Sequence, residues 1–286
     1  MNQLKSWLKR SGIVTVFIVI TGVGFERVFS VPSTTQVLNM PYQPNQPQQQ
    51  CQADRQQIVP LDLDGQLDVT VWNIYKQKRP GVYRSLEKFT AKSQITLLQE
   101  ASLTHKMKGF IEQHQLNGNM ARAFDIQGIT AGVMTLATIP ALKSCAYRVK
   151  EPWLRLPKSA LISSYPLSNG ETIMVANLHG INFSMGLKEF SRQLNEVKSE
   201  LALHHGPMLL SGDFNTWRHE RVSVLNNMVE SLSLIQVDFQ QDNRIKVFKF
   251  PLDHLYYRGL MLKKSEVPML ETSDHNPLIA SFMLPH

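Results

Sequence analysis

Four apolar runs along the chain each end on a residue able to bind a cation, hold a water or move a proton. They are Leu67-Asp-Val-Thr-Val-Trp-Asn73, Ile95-Thr-Leu-Leu-Gln-Glu100, Ile173-Met-Val-Ala-Asn-Leu-His179 and Met208-Leu-Leu-Ser-Gly-Asp213-Phe-Asn215. The closing segment Glu271-Thr-Ser-Asp-His-Asn-Pro-Leu sets Asp274 and His275 before one more apolar run. Residues two apart in a strand share a face, so Asn73 continues the face of Leu67, Val69 and Val71, and His179 that of Ile173 and Val175. By the same count Asp253 shares a face with Leu255 and Tyr257. These faces read as buried, and a charge aimed inward needs a partner or a metal.

Helical spacing is rarer. Leu187, Phe190, Leu194, Val197 and Leu201 fall three or four apart, predicting an amphipathic helix before the Met208 strand. Val82, Leu86 and Phe89 predict another before the Ile95 strand. Strands at 159–165, 172–179, 208–214, 252–257 and 278–282 have no regular helix between every pair. That pattern favours an α+β fold of two packed, mostly antiparallel sheets with helices outside.

With 286 residues, 43% of them hydrophobic, the chain suffices for one large core. Residues 11–25 carry no charge, follow Lys5, Lys9 and Arg10 and precede Glu26-Arg27. Although shorter than the roughly 20 apolar residues of a usual span, this segment reads as a single-pass inner-membrane anchor with an outward-facing catalytic domain. Val28-Phe-Ser30 lacks the small residues that signal cleavage prefers, and a helix of a cytoplasmic protein is the alternative. Residues 41–57 are rich in Pro and Gln and read as an extended linker. The expected division is therefore a hydrophobic segment at 1–30, a linker at 31–60 and a catalytic domain at 61–286. The formal net charge is +7; Lys5, Lys9, Arg10, Arg27 and Arg55 against Glu26 and Asp54 put three of those charges in the first 60 residues, leaving the remainder at +4. A modest positive balance suits a phosphate substrate. Cys51 and Cys145 are the only cysteines, and Cys51 sits in the low-complexity stretch, so the reading leaves them unpaired. The sequence shows no internal repeat, Gly-rich phosphate loop or cysteine-histidine zinc pattern.

Taken in order, Asn73, Glu100, His179, the Gly212-Asp-Phe-Asn215 turn, Asp253 and Ser273-Asp-His275 resemble the endonuclease/exonuclease/phosphatase superfamily, the DNase I-like fold, from about residue 65 to 283. Val71-Trp-Asn-Ile-Tyr-Lys76, Ser184 and Tyr256-Tyr-Arg-Gly259 look like its bacterial YafD-like branch. The resemblance implies a four-layer αββα sandwich with a cleft at one edge of the two sheets. It implies that Glu100 is the principal Mg²⁺ ligand, with Asn73 and Asp274 nearby and Mn²⁺ as an alternative metal; an oxygen-only set suits a hard cation. Asp213 would orient or deprotonate the attacking water, Asn215 hold water or a phosphate oxygen, and His179 contact the phosphate. His275, oriented by Asp253, would act as base or as transition-state stabiliser. Which of Asp213 and His275 takes the proton stays open.

Asn177-Leu-His179 stands where abasic-site nucleases carry a Tyr-containing segment, which disfavours that activity. The expected function is hydrolysis of a phosphodiester, first in nucleic acid and second in a phospholipid facing a membrane held by residues 11–25. A binding module that keeps the fold without the chemistry is the reading from another class. His254 reads as a hydrogen-bonded core residue, and Lys158 as a surface lysine.

Overall fold

The protein's structure, a computed structural model, describes residues 28–41, 49–53 and 59–285. In chain order the first half holds β1 (Phe29–Ser30), β2 (Val37–Met40), β3 (Cys51–Ala53), β4 (Gln66–Asn73), α1 (Val82–Thr90), β5 (Ile95–Ser102) and α2 (His105–Gln113). Next come β6 (Asn117–Ile126), β7 (Ile129–Ala137), β8 (Lys143–Lys150), β9 (Pro157–Pro166), β10 (Thr172–His179) and α3 (Lys188–Leu201). The rest is β11 (Met208–Asp213), α4 (His219–Ser231), β12 (Ile235–Gln236), β13 (Lys246–Val247), β14 (Phe250–Pro251), β15 (Asp253–Arg258), β16 (Met261–Glu266) and β17 (Leu278–Met283).

Two sheets carry the fold. The first runs β1-β6-β7-β5-β4-β17-β16, with β2 also paired to β6, and the second runs β12-β15-β11-β10-β9-β8-β3. Each contains one parallel pair, β4 with β5 and β10 with β11, among antiparallel neighbours. Parallel neighbours need a crossover, which α1 supplies in the first sheet and α3 in the second.

Strand alternation sorts the apolar side chains into layers. Leu67, Val69, Val71, Ile95 and Leu97 of the first sheet meet Ile173, Val175, Leu209 and Leu255 of the second in one buried cluster. On the opposite faces, Trp72 and Leu98 pack under Leu86 and Phe89 of α1 and Met107 of α2. Leu178 and Leu210 likewise pack under Phe190 and Leu194 of α3 and Leu225 of α4. The result is helix, sheet, sheet, helix, the four layers the resemblance implied. Each fully buried Leu or Ile contributes roughly 1.5–3 kcal/mol, so all three apolar layers stabilise the fold.

Three expectations are corrected. The stretch 31–60 is more than a linker, because Val37, Leu38 and Met40 of β2 are buried and β2 pairs with β6. Its Val-Leu-Asn-Met run is too short for a periodic signal beside the Pro and Gln that follow. Cys51 is paired: β3 lies antiparallel to β8 with Cys51 opposite Cys145, and the two form a disulfide. A strand of three residues in a polar stretch gave no hint of that partner. The single-pass inner-membrane placement is also not sustained, since no helix among the described residues is long and apolar enough to cross a membrane. Residues 11–25 lie outside the described residues.

The disulfide closes a sequence separation of 94 residues, so it removes much freedom from the unfolded chain. Replacing both cysteines by serine should lower the unfolding free energy by about 2–4 kcal/mol in urea titrations. An unchanged urea midpoint would count against a structural role for the bond.

Candidate active site

The site forms where the inward faces of the two sheets change from apolar to polar. Asn73 follows Leu67, Val69 and Val71, and its Nδ2 donates to Asp213 Oδ2 across the sheets at 3.0 Å. Asp213, 2% exposed, ends β11 directly opposite Asp253 of β15. Two carboxylates facing each other across a ladder repel, and His275 stands between them. Its Nδ1 lies 2.7 Å from Asp253 Oδ2 and its Nε2 3.9 Å from Asp213 Oδ2. His179 Nε2 approaches the same Asp213 oxygen at 3.6 Å and Glu100 Oε1 at 3.9 Å. The backbone N–H of Asn215 donates to the other Asp213 oxygen at 3.0 Å.

Local devices hold these groups in place. Glu100 has φ 52°, and the pairing of β5 with β7 shifts register between Leu98 and Ala101. Without that bulge, alternation would leave Gln99 inward and Glu100 outward; the bulge re-aims the carboxylate at the cleft. Gln99 remains buried below it, its Nε2 donating 2.7 Å to Asn177 Oδ1, while Asn177 Nδ2 donates to the Leu98 and Met134 carbonyls. This amide pair stitches the sheets together beneath the site. Gly212 has φ +138°, and a Cβ there would stand 1.9 Å from the Leu178 carbonyl oxygen, so the Gly-Asp step admits only glycine. The loop carrying Asp274 and His275 hangs from β4: the Trp72 indole donates to the His275 carbonyl at 2.9 Å, and Ser273 Oγ donates to the Asn73 carbonyl at 2.6 Å.

The turn after β4 is strained. Tyr75, Lys76 and Gln77 take φ of 48°, 53° and 53°, a conformation costing roughly 1 kcal/mol or more for each non-glycine residue. Side chains compensate: Asn73 Oδ1 accepts from Tyr75 N at 3.1 Å, and Gln77 makes two hydrogen bonds to the backbone of Ser102. The turn thereby places the Lys76 ammonium against Glu100 Oε2.

Electrostatics separates the titratable groups. Burial pushes the Asp213 carboxyl up to about 6, the His275 charge opposing and Asp253 adding to the rise. Burial alone would lower His275, but the charge and hydrogen bond of Asp253, then Asp213 and Asp274, carry it up to about 10. His275 is thus an imidazolium at neutral pH. Burial, then the Lys158 and Lys76 charges, hold His179 well below its ordinary value, so it is neutral.

The structure brings Asn73, Glu100, His179, Asp213, Asp253 and His275 together. Asp274 sits at the rim, in contact with Ser273 Oγ at 3.3 Å. Asn215 turns its Nδ2 to the Gly180 carbonyl at 3.0 Å, stapling two loops together. Lys158 is no surface lysine: its Nζ lies 2.8 Å from His179 Nε2, and an ammonium has only donors, so the imidazole nitrogen accepts. Alternation along β9 sets Lys158 with Ala160 and Ile162 against the helices, and the length of its side chain carries the charge to the cleft. Arg221, fully buried, is a further residue the sequence did not single out. It donates to the carbonyls of Ile181, Asn182 and Asn215 and to Ser184 Oγ, locking the loops after β10 and β11 together.

The donor set fits a hard divalent cation. Glu100 lines the cleft cavity and is already paired with one cation, Lys76, Asn73 Oδ1 accepts from Tyr75 N, and Asp274 stands beside Ser273 on the loop hung from Asn73. Asp213, Asp253 and His275 also offer three ligand atoms within 4.8 Å of one another. That second group is committed internally, through the His275 to Asp253 hydrogen bond, and a cation there would have to displace it.

Comparison with known proteins places this geometry in context. Residues 70–275 match the endonuclease/exonuclease/phosphatase family. A UPF0294 protein of Vibrio campbellii is 44% identical over 278 residues, covering 96% of this chain and 98% of the relative. The human Nocturnin catalytic domain with a bound sulfate anion superposes with TM-score 0.59 at 16% identity, covering 79% of this chain and 96% of that one. The mannosyl-6-phosphatase of Bacteroides thetaiotaomicron gives TM-score 0.57 at 17% identity, covering 76% of this chain and all of its own, 100%. Identities this low show a shared fold.

His254, behind the site, is the hydrogen-bonded core residue expected, with Nε2 2.7 Å from Thr216 Oγ1 and Nδ1 3.1 Å from the Tyr256 hydroxyl. Burial pushes its pKa from 6.5 down to about 3, so between those values the unfolded chain binds more protons than the folded one. Stability should be full above pH 6.5 and fall as pH drops through that window, by at most about 5 kcal/mol from this residue. His254→Phe removes the titrating ring and should flatten that acid limb in urea titrations. Identical pH slopes for wild type and variant would refute the assignment.

Proposed function

The chain belongs to the endonuclease/exonuclease/phosphatase family, and from that premise we propose that it hydrolyses a phosphodiester with the help of a divalent cation, nucleic acid being the first substrate class. The family and fold are those of phosphoesterases. What carries the finer reading is the convergence on one buried oxygen, Asp213 Oδ2, which receives Asn73 at 3.0 Å and faces His179 at 3.6 Å and His275 at 3.9 Å.

A water held by Asp213 would attack the phosphorus as Asp213 takes its proton, and the ester P–O bond opposite would break, its departing oxygen taking up a proton from solvent. Desolvation makes this carboxylate a stronger base than one in water, which suits the task near neutral pH. His275 is unsuited to that role because an imidazole between two carboxylates keeps both protons. Its Nε2–H instead donates to a phosphoryl oxygen as charge builds there, while Asp253 fixes the ring through Nδ1. The Lys158 side chain, positioned by neutral His179 Nε2, would donate to another phosphoryl oxygen. Asn215 and Arg221 keep the turn rigid. Glu100, with Asn73 and Asp274 beside it, would hold a divalent cation, whose chemistry when bound would be Lewis-acid polarisation of the phosphoryl group. Keeping this whole set in a protein that only binds has no physical advantage, which weighs against the non-catalytic reading.

A second reading, lipid phosphodiester hydrolysis, is favoured by apolar side chains in two loops flanking the site. Trp153 is 65% exposed and Met185 76%. Glu151 Oε1 accepts from the backbone N–H groups of Asn182 and Phe183, tying the two loops together.

With Mg²⁺ or Mn²⁺ present, the protein should hydrolyse at least one of single-stranded DNA, RNA, sphingomyelin, a phosphoinositide or a bis-aryl phosphodiester. Glu100→Ala, Asp213→Asn and His275→Ala should each lower turnover by about three orders of magnitude, because the groups act as a unit. Metal-dependent turnover that survives in all three variants, or its absence across the panel in the wild type, would overturn the proposal.

A further inference from the structure

We propose that a groove beside the site, walled by the strained turn and the start of α1, is the path of a single-stranded polynucleotide, an inference that rests on the phosphodiester reading. The groove has a volume of about 540 Å³ and is lined by Lys76, Arg79, Tyr83, Arg84 and Lys106 among other residues, none of them acidic. Lys76 also lines the small cavity, about 50 Å³, that holds Glu100, Lys158 and His179, so the groove and that cavity share a wall. Lys78, exposed, adds a further positive charge on the same turn.

Aromatic rings interleave with these cations. The Tyr75 ring has Lys78 Nζ 5.5 Å, Lys76 Nζ 5.9 Å and the Arg79 guanidinium 5.9 Å from its centroid. Lys106 Nζ stands 4.4 Å over the ring of Tyr83. A run of cations along one groove tracks a phosphate backbone, and a partly exposed ring beside it offers a stacking platform for an unpaired base. A duplex keeps its bases stacked on one another and presents only its backbone, so it cannot use Tyr75.

Two further observations make this more than a solvated charged face. Three successive non-glycine residues with positive φ hold Tyr75 and Lys76 in place, and Asn73 and Gln77 pin that turn by hydrogen bonds. Strain retained and braced at such a place is what a binding surface requires. Arg79 meanwhile donates to the carbonyls of Ser273 and Glu271, at 2.6 and 3.2 Å, so the groove wall is fastened to the loop carrying Asp274 and His275. A strand lying in the groove would press its scissile phosphate toward that loop.

The test is fluorescence anisotropy of the full chain with labelled oligo-dT, oligo-U and a DNA duplex, in EDTA and across a salt series. EDTA suppresses turnover, so the groove is read independently of the reaction, and a failure of hydrolysis with binding intact strikes only the catalytic reading. One or both single strands should bind more tightly than the duplex, and the two single-strand arms separate DNA from RNA. Lys78→Ala with Arg84→Ala should weaken single-strand binding at least tenfold and reduce the slope of log affinity against log salt by about 1.4, since each phosphate contact on a single strand contributes about 0.7. Tyr75→Ala should weaken binding about tenfold with the salt slope unchanged. The exposed pair Lys143→Ala with Lys263→Ala removes equal charge elsewhere and should change neither. Equal or tighter duplex binding, no single-strand binding, or the same salt slope in the Lys78 and Arg84 variant as in wild type would overturn the proposal. Matching thermal melts would show that the variants fold.

Discussion

A carboxylate buried between two sheets and opposed by another carboxylate is the constraint from which the rest of the structure follows. Asp213 and Asp253 face each other across β11 and β15, and both are 2% exposed. Neither could stay ionised there alone, because removing a charge from water costs far more than one strand pairing returns. The His275 imidazolium between them makes the pair tolerable and in doing so becomes unable to accept a proton. What remains is a carboxylate with a raised proton affinity beside a fixed cation. In the proposed function the aspartate pair and its histidine would move and stabilise charge, and Glu100 across the cleft would hold the divalent cation.

Much of the surrounding architecture serves to keep those few atoms at their distances. Three loops must converge from the two sheets, and buried side chains fasten them by hydrogen bonds to backbone carbonyls: Trp72 holds the His275 loop, Arg221 the loops after β10 and β11. Gln99 and Asn177 bridge the sheets directly below, which fixes their spacing where the apolar layer ends. The bulge at Glu100 and the positive-φ glycine at position 212 both lie at the site. Lys76 and Lys158 then supply positive charge on the open side, where an anionic substrate must enter.

The period-two pattern made Asn73, His179 and Asp253 legible in the sequence, since each continues a run of alternate apolar residues toward the same end of the core, while Asp213 was read from the Gly-Asp-Phe-Asn turn and the resemblance it carries. The helices at Leu187 to Leu201 and Val82 to Phe89 were legible for the same reason at period 3.6. Glu100 was not accessible by alternation, which points Gln99 inward; its place came from the family resemblance, and the bulge supplies the physical cause. Lys158 escaped because its strand position faces the helices, and a long side chain obeys no period. Cys51 and the strand Val37–Met40 escaped because their partners lie far along the chain and their own runs are too short to carry a pattern. Arg221 occupies the apolar face of α4 with Leu225 and Met228, where the sequence reading expected no helix and so had no face on which to notice a buried charge.

The division of labour between Glu100 and the aspartate pair is best tested by titrating Mn²⁺ into the wild type, Glu100→Gln and Asp253→Asn, with bound metal counted by electron paramagnetic resonance. One site is expected in the wild type, weakened at least about tenfold by Glu100→Gln, as removal of a principal charged ligand should do, and retained in Asp253→Asn. Loss of the site in Asp253→Asn with unaltered binding in Glu100→Gln would contradict that division, by placing the metal between Asp213, Asp253 and His275.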